Sequence, residues 1–400
     1  MIHVDTSSFF AVVLVAAIAA TTVAVVPRRF APPVVVVELM LGIVIGPQVL
    51  DLAQSDDFIA FFSNLGLGML FFFAGYEIDF QRIRGRPLTL GGWGWLLSVA
   101  LAYAIGGALA AAGLVISFLY TGSALATTAI GTLIPIMRDT GELRSRFGTY
   151  LLAAGAVGEF GPILLITLIL STSHPLHEAV VLLAFVVLAI GVALASIRLA
   201  RPGWTLLERT LESSSQLAVR IVVVLVFGLL ALTEELGLDI LLGGFGAGMI
   251  TRIALKGNEL EVFESKLTAV GFGFLIPFFF VNSGMNFDLD ALLGSSGALL
   301  KLPLFLALFV VVRGAPAVLL YRGALQARER GALAFFLATE LPLVVAITTL
   351  AVEGGHMHSS TSAALVGAAI LSTLIYPFVG LALRKGADAE TPADLQPAEG

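Results

Sequence analysis

The sequence predicts an all-α polytopic membrane protein of about 13 transmembrane helices. Three observations predict it. Of its 400 residues 58% are hydrophobic and only 12% are charged, where a soluble domain carries about 25%. Apolar stretches long enough to cross a bilayer recur from Ser8 to Leu383. The basic residues, finally, fall on alternate connections between those stretches.

Read in order, the spans run approximately over 8–26, 33–47, 61–80, 87–113, 114–137, 147–170, 179–199, 216–235, 238–254, 266–285, 297–321, 331–352 and 361–383. No basic region precedes the first apolar stretch, and Arg28 and Arg29 follow it. It therefore reads as an uncleaved first helix and not as a cleaved signal peptide. With 13 spans, all but two of the 22 Lys and Arg lie on one side. They stand at Arg28 and Arg29, at Arg82, Arg84 and Arg86, at Arg138, Arg144 and Arg146, and at Arg198, Arg201, Arg209 and Arg220. They continue at Arg252, Lys256 and Lys266, at Arg322, Arg328 and Arg330, and at Arg384 and Lys385. The opposite connections carry Asp51, Asp56, Asp57, His174, His177, Glu178, Asp288, Asp290, His356 and His358. Positive residues stay inside, so the N-terminus is expected outside and the C-terminus in the cytoplasm, across a cell (inner) membrane. Residues 1–385 form one membrane domain, and 386–400, acidic and rich in Ala and Pro, read as a disordered tail.

The sixth span, FGTYLLAAGAVGEFGPILLITLIL, carries one charge, Glu159, at its middle. A charge there costs about 2.5–3.5 kcal/mol on insertion scales and marks an ion or proton site by default. Gly155, Gly158 and Pro162 share its face, at offsets of four, one and three, so other backbone can come close.

Spans two to six match spans nine to thirteen in order. LGIVIGP (41–47) matches LGGFGAG (242–248), FFFAGYEIDF (71–80) matches FFFVNSGMNFDL (278–289), and LATT (125–128) matches LATE (337–340). The offset of seven spans is odd, so partners cross in opposite directions. Inverted repeats over approximately 33–171 and 238–383, joined by a linker span at 179–199, characterise secondary transporters with a midplane site. The fifth span places Gly122, Ser123, Thr127, Thr128, Gly131 and Thr132 at membrane depth. The twelfth places Thr339, Glu340 and Pro342 there. Pro342 lacks an N–H and loosens its helix. Two unwound helices meeting at the midplane would expose carbonyls and helix ends to an ion. The competing reading is that each hydroxyl bonds back to its own helix.

The motifs ELMLGIVIGP (38–47), LFFFAGYEID (70–79), ALATTAIGTLIPIMRDTGEL (124–143), LLGGFGAGM (241–249) and IPFFFVNSGMNFDL (276–289) together resemble the bacterial monovalent cation:proton antiporter superfamily. The resemblance is to the branch with sodium/proton exchangers and glutathione-gated potassium efflux systems, and it covers 33 to about 383. It implies a core domain with two crossing unwound helices, a flanking dimerisation domain, alternating access by an elevator-like movement, and a homodimer. The family places an Asp-Asp, Asn-Asp or Gln-Asp pair on the sixth span; the matching positions here are Gly158 and Glu159. Its unwound segments carry over onto Thr127 and Thr128 and onto Thr339 and Glu340. Its basic residue in the eleventh span matches Arg313. The soluble nucleotide-binding domain of the potassium efflux branch is not expected, because the chain ends fifteen residues after Lys385.

Glu159, Thr127, Thr128 and Thr339 are thus the expected ion- and proton-binding residues, with a monovalent cation held at Glu159. Arg313 lies too deep to snorkel and needs a partner. It compensates Glu159, Glu340 or helix C-termini, and Glu340 either pairs with it or titrates itself. Glu38 reads as a structural or entrance residue, and Lys301 as one that snorkels to the outer interface. The external histidines read as solvated, with pH sensing the alternative. No phosphate loop, nucleophile elbow or zinc motif occurs, so an enzyme is not expected and no cofactor is implied. The glycines serve helix packing, and the basic clusters set orientation without nucleic acid. The function expected is a secondary antiporter exchanging Na+ or K+ for protons at one midplane carboxylate, electroneutral if one proton replaces one cation. The alternatives are a non-exchanging cation channel or a membrane sensing module on the same fold. An organic anion transporter is disfavoured, since Glu159 would repel its substrate.

Overall fold

A computed structural model describes residues 5–26, 32–77, 80–169, 191, 216–235, 240–254, 259–294 and 296–384. The expected span at 179–199, the tail at 386–400, His174 and His177 lie outside them, apart from residue 191. Among the described residues the regular structure is helical. Within these residues eight helical stretches, some of them interrupted, are long and apolar enough to cross a membrane, and three shorter apolar helices accompany them. The chain divides into two compact units, each taking helices from both halves of the sequence. One unit comprises Met1–Asp79 and Ile163–Phe287, the other Phe80–Pro162 and Asp288–Gly400.

The first unit contains α1 (Thr6–Val25), α2 (Val34–Ile45), α3 (Asp57–Tyr76), and the helices α9 to α12 defined below. Two aspartates start its helices together. Asp5 caps α1 by accepting from the Ser7 amide at 3.0 Å, and Asp56 caps α3 by accepting from Ile59 at 2.7 Å. The second oxygen of Asp56 also accepts the Asp5 amide at 2.8 Å, which ties the two helix starts to each other. Each cap satisfies backbone donors that the first turn leaves orphaned.

From the second half of the chain come α9 (Leu217–Glu235), α10 (Ile240–Ala254), α11 (Glu259–Val270) and α12 (Ile276–Met285). A π-helical turn, Gly271–Leu275, links α11 to α12. Helix α2 packs on α12, and α3 on α10. The motif glycines set these contacts. A methyl at Gly42 or Gly46 would strike the backbone of Val281 or Met285, and one at Gly244 or Gly248 would strike the carbonyls of Gly68 or Phe72. Without side chains there, backbones touch, and close packing replaces the hydrophobic drive that lipid does not supply. The pairing is reciprocal: α2 and α3 belong to the first half, α10 and α12 to the second, and each helix of one half packs on one of the other. Phe9, Phe62 and Phe278 close one end, with ring centroids 5.1–5.7 Å apart.

The second unit holds the short α4 (Phe80–Ile83), α5 (Arg86–Ala111), α6 (Phe118–Leu125), α7 (Ile130–Asp139) and α8 (Arg146–Ile169) as far as Pro162. Its later part holds α13 (Leu289–Leu293), α14 (Ser296–Phe309), α15 (Ala315–Leu320), α16 (Ala327–Leu337), α17 (Pro342–Glu353) and α18 (Ser359–Arg384). The stretches expected as single spans at 114–137 and 331–352 are each two half-helices, α6 with α7 and α16 with α17. The eleventh span is also interrupted, by a π-helical turn, Val310–Gly314, between α14 and α15. Arg384 at the end of α18 bonds Glu142 at 2.8 Å and Glu329 at 2.6 Å, and lies over the Phe147 ring at 4.7 Å. That clasp gathers α8, α16 and α18 over an apolar core that includes Leu133, Phe147, Leu333 and Phe336.

Candidate functional site

The site is built where the two interrupted helices of the second unit cross. Helix α6 ends at Leu125 and α7 begins at Ile130; α16 ends at Leu337 and α17 begins at Pro342. Pro342 stands in the first turn of α17, where its missing N–H leaves no bond unmade. The exposed backbone ends satisfy one another. The Ala129 amide donates to the Thr339 carbonyl at 2.8 Å, and the Thr128 hydroxyl donates to the Leu337 carbonyl at 2.6 Å. The Thr127 hydroxyl reaches both the Ala124 carbonyl and a carboxylate oxygen of Glu340. Non-helical backbone at this depth is tolerable because protein groups meet its polar atoms.

Glu340 is fully buried. Its amide donates to the Ser372 hydroxyl at 3.0 Å, and its carbonyl accepts from the Thr373 hydroxyl at 2.9 Å, so α18 holds its backbone from behind. Among the described residues its Oε1 has no hydrogen-bond partner. Thr339 contributes its carbonyl to the crossing, while its hydroxyl bonds back to Phe335 at 3.2 Å. Thr127 and Thr128 instead send their hydroxyls across to the other half-helix pair.

Arg313 is 2% exposed and sits inside the π-helical turn. Such a turn widens a helix locally and often marks a functional position. Its Nε donates to the Thr128 hydroxyl at 2.9 Å, its Nη1 to the Ser98 hydroxyl on α5 at 3.1 Å, and its Nη2 to the Ala154 carbonyl on α8 at 3.4 Å. Arg313 and Glu340 attract electrostatically, while each keeps its own hydrogen-bond partners.

Helix α8 passes this assembly with Gly158 turned towards it. A methyl on Gly158 would collide with the Arg313 guanidinium and lie 3.0 Å from the Thr128 hydroxyl oxygen. Glu159, the next residue, is 3% exposed. Gly155 similarly admits the Ile130 side chain at the start of α7, and Gly161 admits the Trp95 indole. Pro162 lies within the helix and deprives the Gly158 carbonyl of its ordinary donor four residues on. Thr127, Thr128, Thr339, Arg313, Glu340 and Gly158 are therefore gathered in one place, with Glu159 adjoining through the chain. The assembly offers a buried carboxylate, hydroxyls, backbone carbonyls and one fixed positive charge, which is chemistry for a small cation and a proton.

Sequence reasoning missed Ser98, Ser372, Thr373 and the Trp95 indole, which donates to the Ala126 carbonyl at 3.2 Å. Their only signal was polarity within an apolar span. Glu38 is buried within the first unit. Lys301 donates to the Thr361 hydroxyl at 3.0 Å.

Comparison with known proteins gives a consistent picture. The family model described as "Sodium/hydrogen exchanger, transmembrane" matches residues 13–382. The Na(+)/H(+)-K(+) antiporter GerN of Bacillus cereus is 28% identical over 271 residues, 64% of this chain and 65% of that protein. The Na(+)/H(+) antiporter NhaS5 of Synechocystis is 26% identical over 346 residues, 84% of this chain and 48% of its own length. The chain spans 57% to 66% of the length of three of the curated relatives it matches. The sodium proton antiporter MjNhaP1 of Methanocaldococcus jannaschii superposes with a TM-score of 0.62 at 16% identity, covering 94% of this chain and 95% of that one. This likeness shows the inverted-repeat fold with two crossing unwound helices.

Proposed function

Because the chain belongs to the sodium/hydrogen exchanger family, we propose that it is a secondary antiporter exchanging a monovalent cation, Na+ or K+, for protons, with Glu159 as the group the two share. The observation that carries this reading is the crossing itself. Thr127, Thr128 and the Thr339 carbonyl surround a break in two helices, next to a helix that buries a carboxylate at mid-span. Hydroxyl and carbonyl oxygens replace part of a cation's hydration, and the carboxylate alternates between ion and proton. Arg313 and Glu340 balance one another's charge at the crossing. An arginine does not lose its proton in a protein, so Arg313 stays a fixed charge. One carboxylate then trades one proton for one cation, and the cycle moves no net charge.

In this reading residues 1–385 form the membrane domain, with the N-terminus outside and the C-terminus in the cytoplasm. The functional assembly is a homodimer in the cell membrane. The names of the relatives, sodium/proton antiporters among them, support the substrate class.

Purified protein in liposomes loaded with a pH-sensitive dye tests the proposal. Na+, K+ or Li+ added outside drives proton movement, and the rate is unchanged when ionophore clamps the voltage. Cation flux without proton counter-movement would reject exchange in favour of a channel, and a rate set by voltage would reject one-for-one stoichiometry.

A further inference from the structure

The contact between α8 and the π-helical turn at Val310–Gly314 is made at a glycine. The guanidinium of Arg313 occupies the volume that a Cβ on residue 158 would need, with the Thr128 hydroxyl at the rim. The nitrogen that a Cβ at 158 would strike is Nη2, the one that bonds α8 itself. Nη2 reaches the Ala154 carbonyl on α8 one turn before Gly158 at 3.4 Å, while Nη1 and Nε hold Ser98 and Thr128. The flexible end of a side chain can normally yield to an added methyl. Here its donors are aimed at three partners on α5, α8 and the α6–α7 break, so yielding would cost several buried bonds at once.

We infer that Gly158 and Arg313 are a size-matched pair in which Gly158 is a positioning residue: its bare Cα opens the seat where the guanidinium is fixed between α8 and the helix crossing. The seat is filled by a permanent positive charge, so it cannot also receive a transported cation. Ser98 is the anchor that keeps the arginine's far nitrogen in line.

The transport consequence rests on the antiport reading, whereas the packing pair does not, so the test has two readouts. Wild type, Gly158→Ala, Arg313→Lys and the double variant are compared for melting temperature in detergent and for cation-driven proton flux in liposomes. A lysine lacks the fork that meets the added methyl. Gly158→Ala alone should lower the melting temperature, as overpacking of a tight contact does, and lower flux with it. Arg313→Lys alone should lower flux by losing Ser98 and Ala154. The double variant should be better than Gly158→Ala in both readouts, a sub-additive cycle. Losses that add in both readouts would overturn the pair. If Gly158→Ala does not accumulate as folded protein, recovery of a single gel-filtration peak in the double variant supports the pair, and its failure to recover counts against it. Coupled melting temperatures with no exchange in wild type would keep the pair and discard the antiport reading.

Discussion

The amide of Ala129 donates to the carbonyl of Thr339 across 2.8 Å. One chain break thus supplies the donor that the other break's acceptor lacks, and neither half-helix pair can close into a continuous helix without orphaning its neighbour. The Thr128 hydroxyl donates to the Leu337 carbonyl beside it, a second bond across the same crossing.

Glu159→Gln is expected to abolish cation-driven proton flux while leaving expression, gel-filtration profile and melting temperature close to wild type. The amide is isosteric but cannot hold a proton or a cation in turn. Proteoliposomes with an entrapped pH dye give the readout; flux persisting in this variant would remove Glu159 from the mechanism.

Replacing Thr128 by Val deletes a hydroxyl that donates to Leu337 and accepts from Arg313. Leaving buried groups unsatisfied costs about 1–3 kcal/mol, which for a chain of this size lowers the melting temperature by a few degrees. Thr128→Ser keeps the hydroxyl and should stay near wild type. Equal melting of the Val and Ser variants would show that the hydroxyl is not needed.

Glu340→Gln should lower stability, because the buried guanidinium loses the negative charge that attracts it. Exchange should continue at a reduced rate with its proton-to-cation ratio unchanged. A changed ratio, measured from the ion gradients at which dye signal and flux cancel, would assign a second proton to Glu340.

Arg384→Ala should loosen the end of the second unit. It removes two short carboxylate contacts and the contact with Phe147. The group is only partly shielded from water, so a loss of about 1–3 kcal/mol is expected, less than for a wholly buried pair. Arg384→Lys keeps the charge but not the two-pronged geometry and should fall between the two in thermal denaturation.

Much of the site was legible in the sequence because membrane burial makes polarity conspicuous. Glu159 and Arg313 stood out as charges at mid-span, and Pro342 beside LATE signalled a broken helix. The threonines were legible as a cluster, but their roles were not. Thr127 and Thr128 reach across the crossing, whereas the Thr339 hydroxyl does bond back to its own helix. The π-helical turns at Gly271–Leu275 and Val310–Gly314 left no pattern to read, since one added residue hardly disturbs a run that is apolar on nearly every side. Gly158 was seen as a departure from the pair of polar residues its relatives are expected to carry. That its emptiness is filled by Arg313 depends on a contact 155 positions away, which no local pattern encodes. The glycines of 41–47 and 242–248 were read as packing residues, and their partners, Val281 and Gly68 among them, emerged only with the fold.

The indole of Trp95 leans into the space above Gly161 and holds the Ala126 carbonyl at 3.2 Å. It moors the frayed end of α6 to the unbroken α5. Together with the Arg313 anchor on Ser98, this gives the crossing two attachments to the same wall. Any displacement that preserves those attachments must carry α5 and the crossing together.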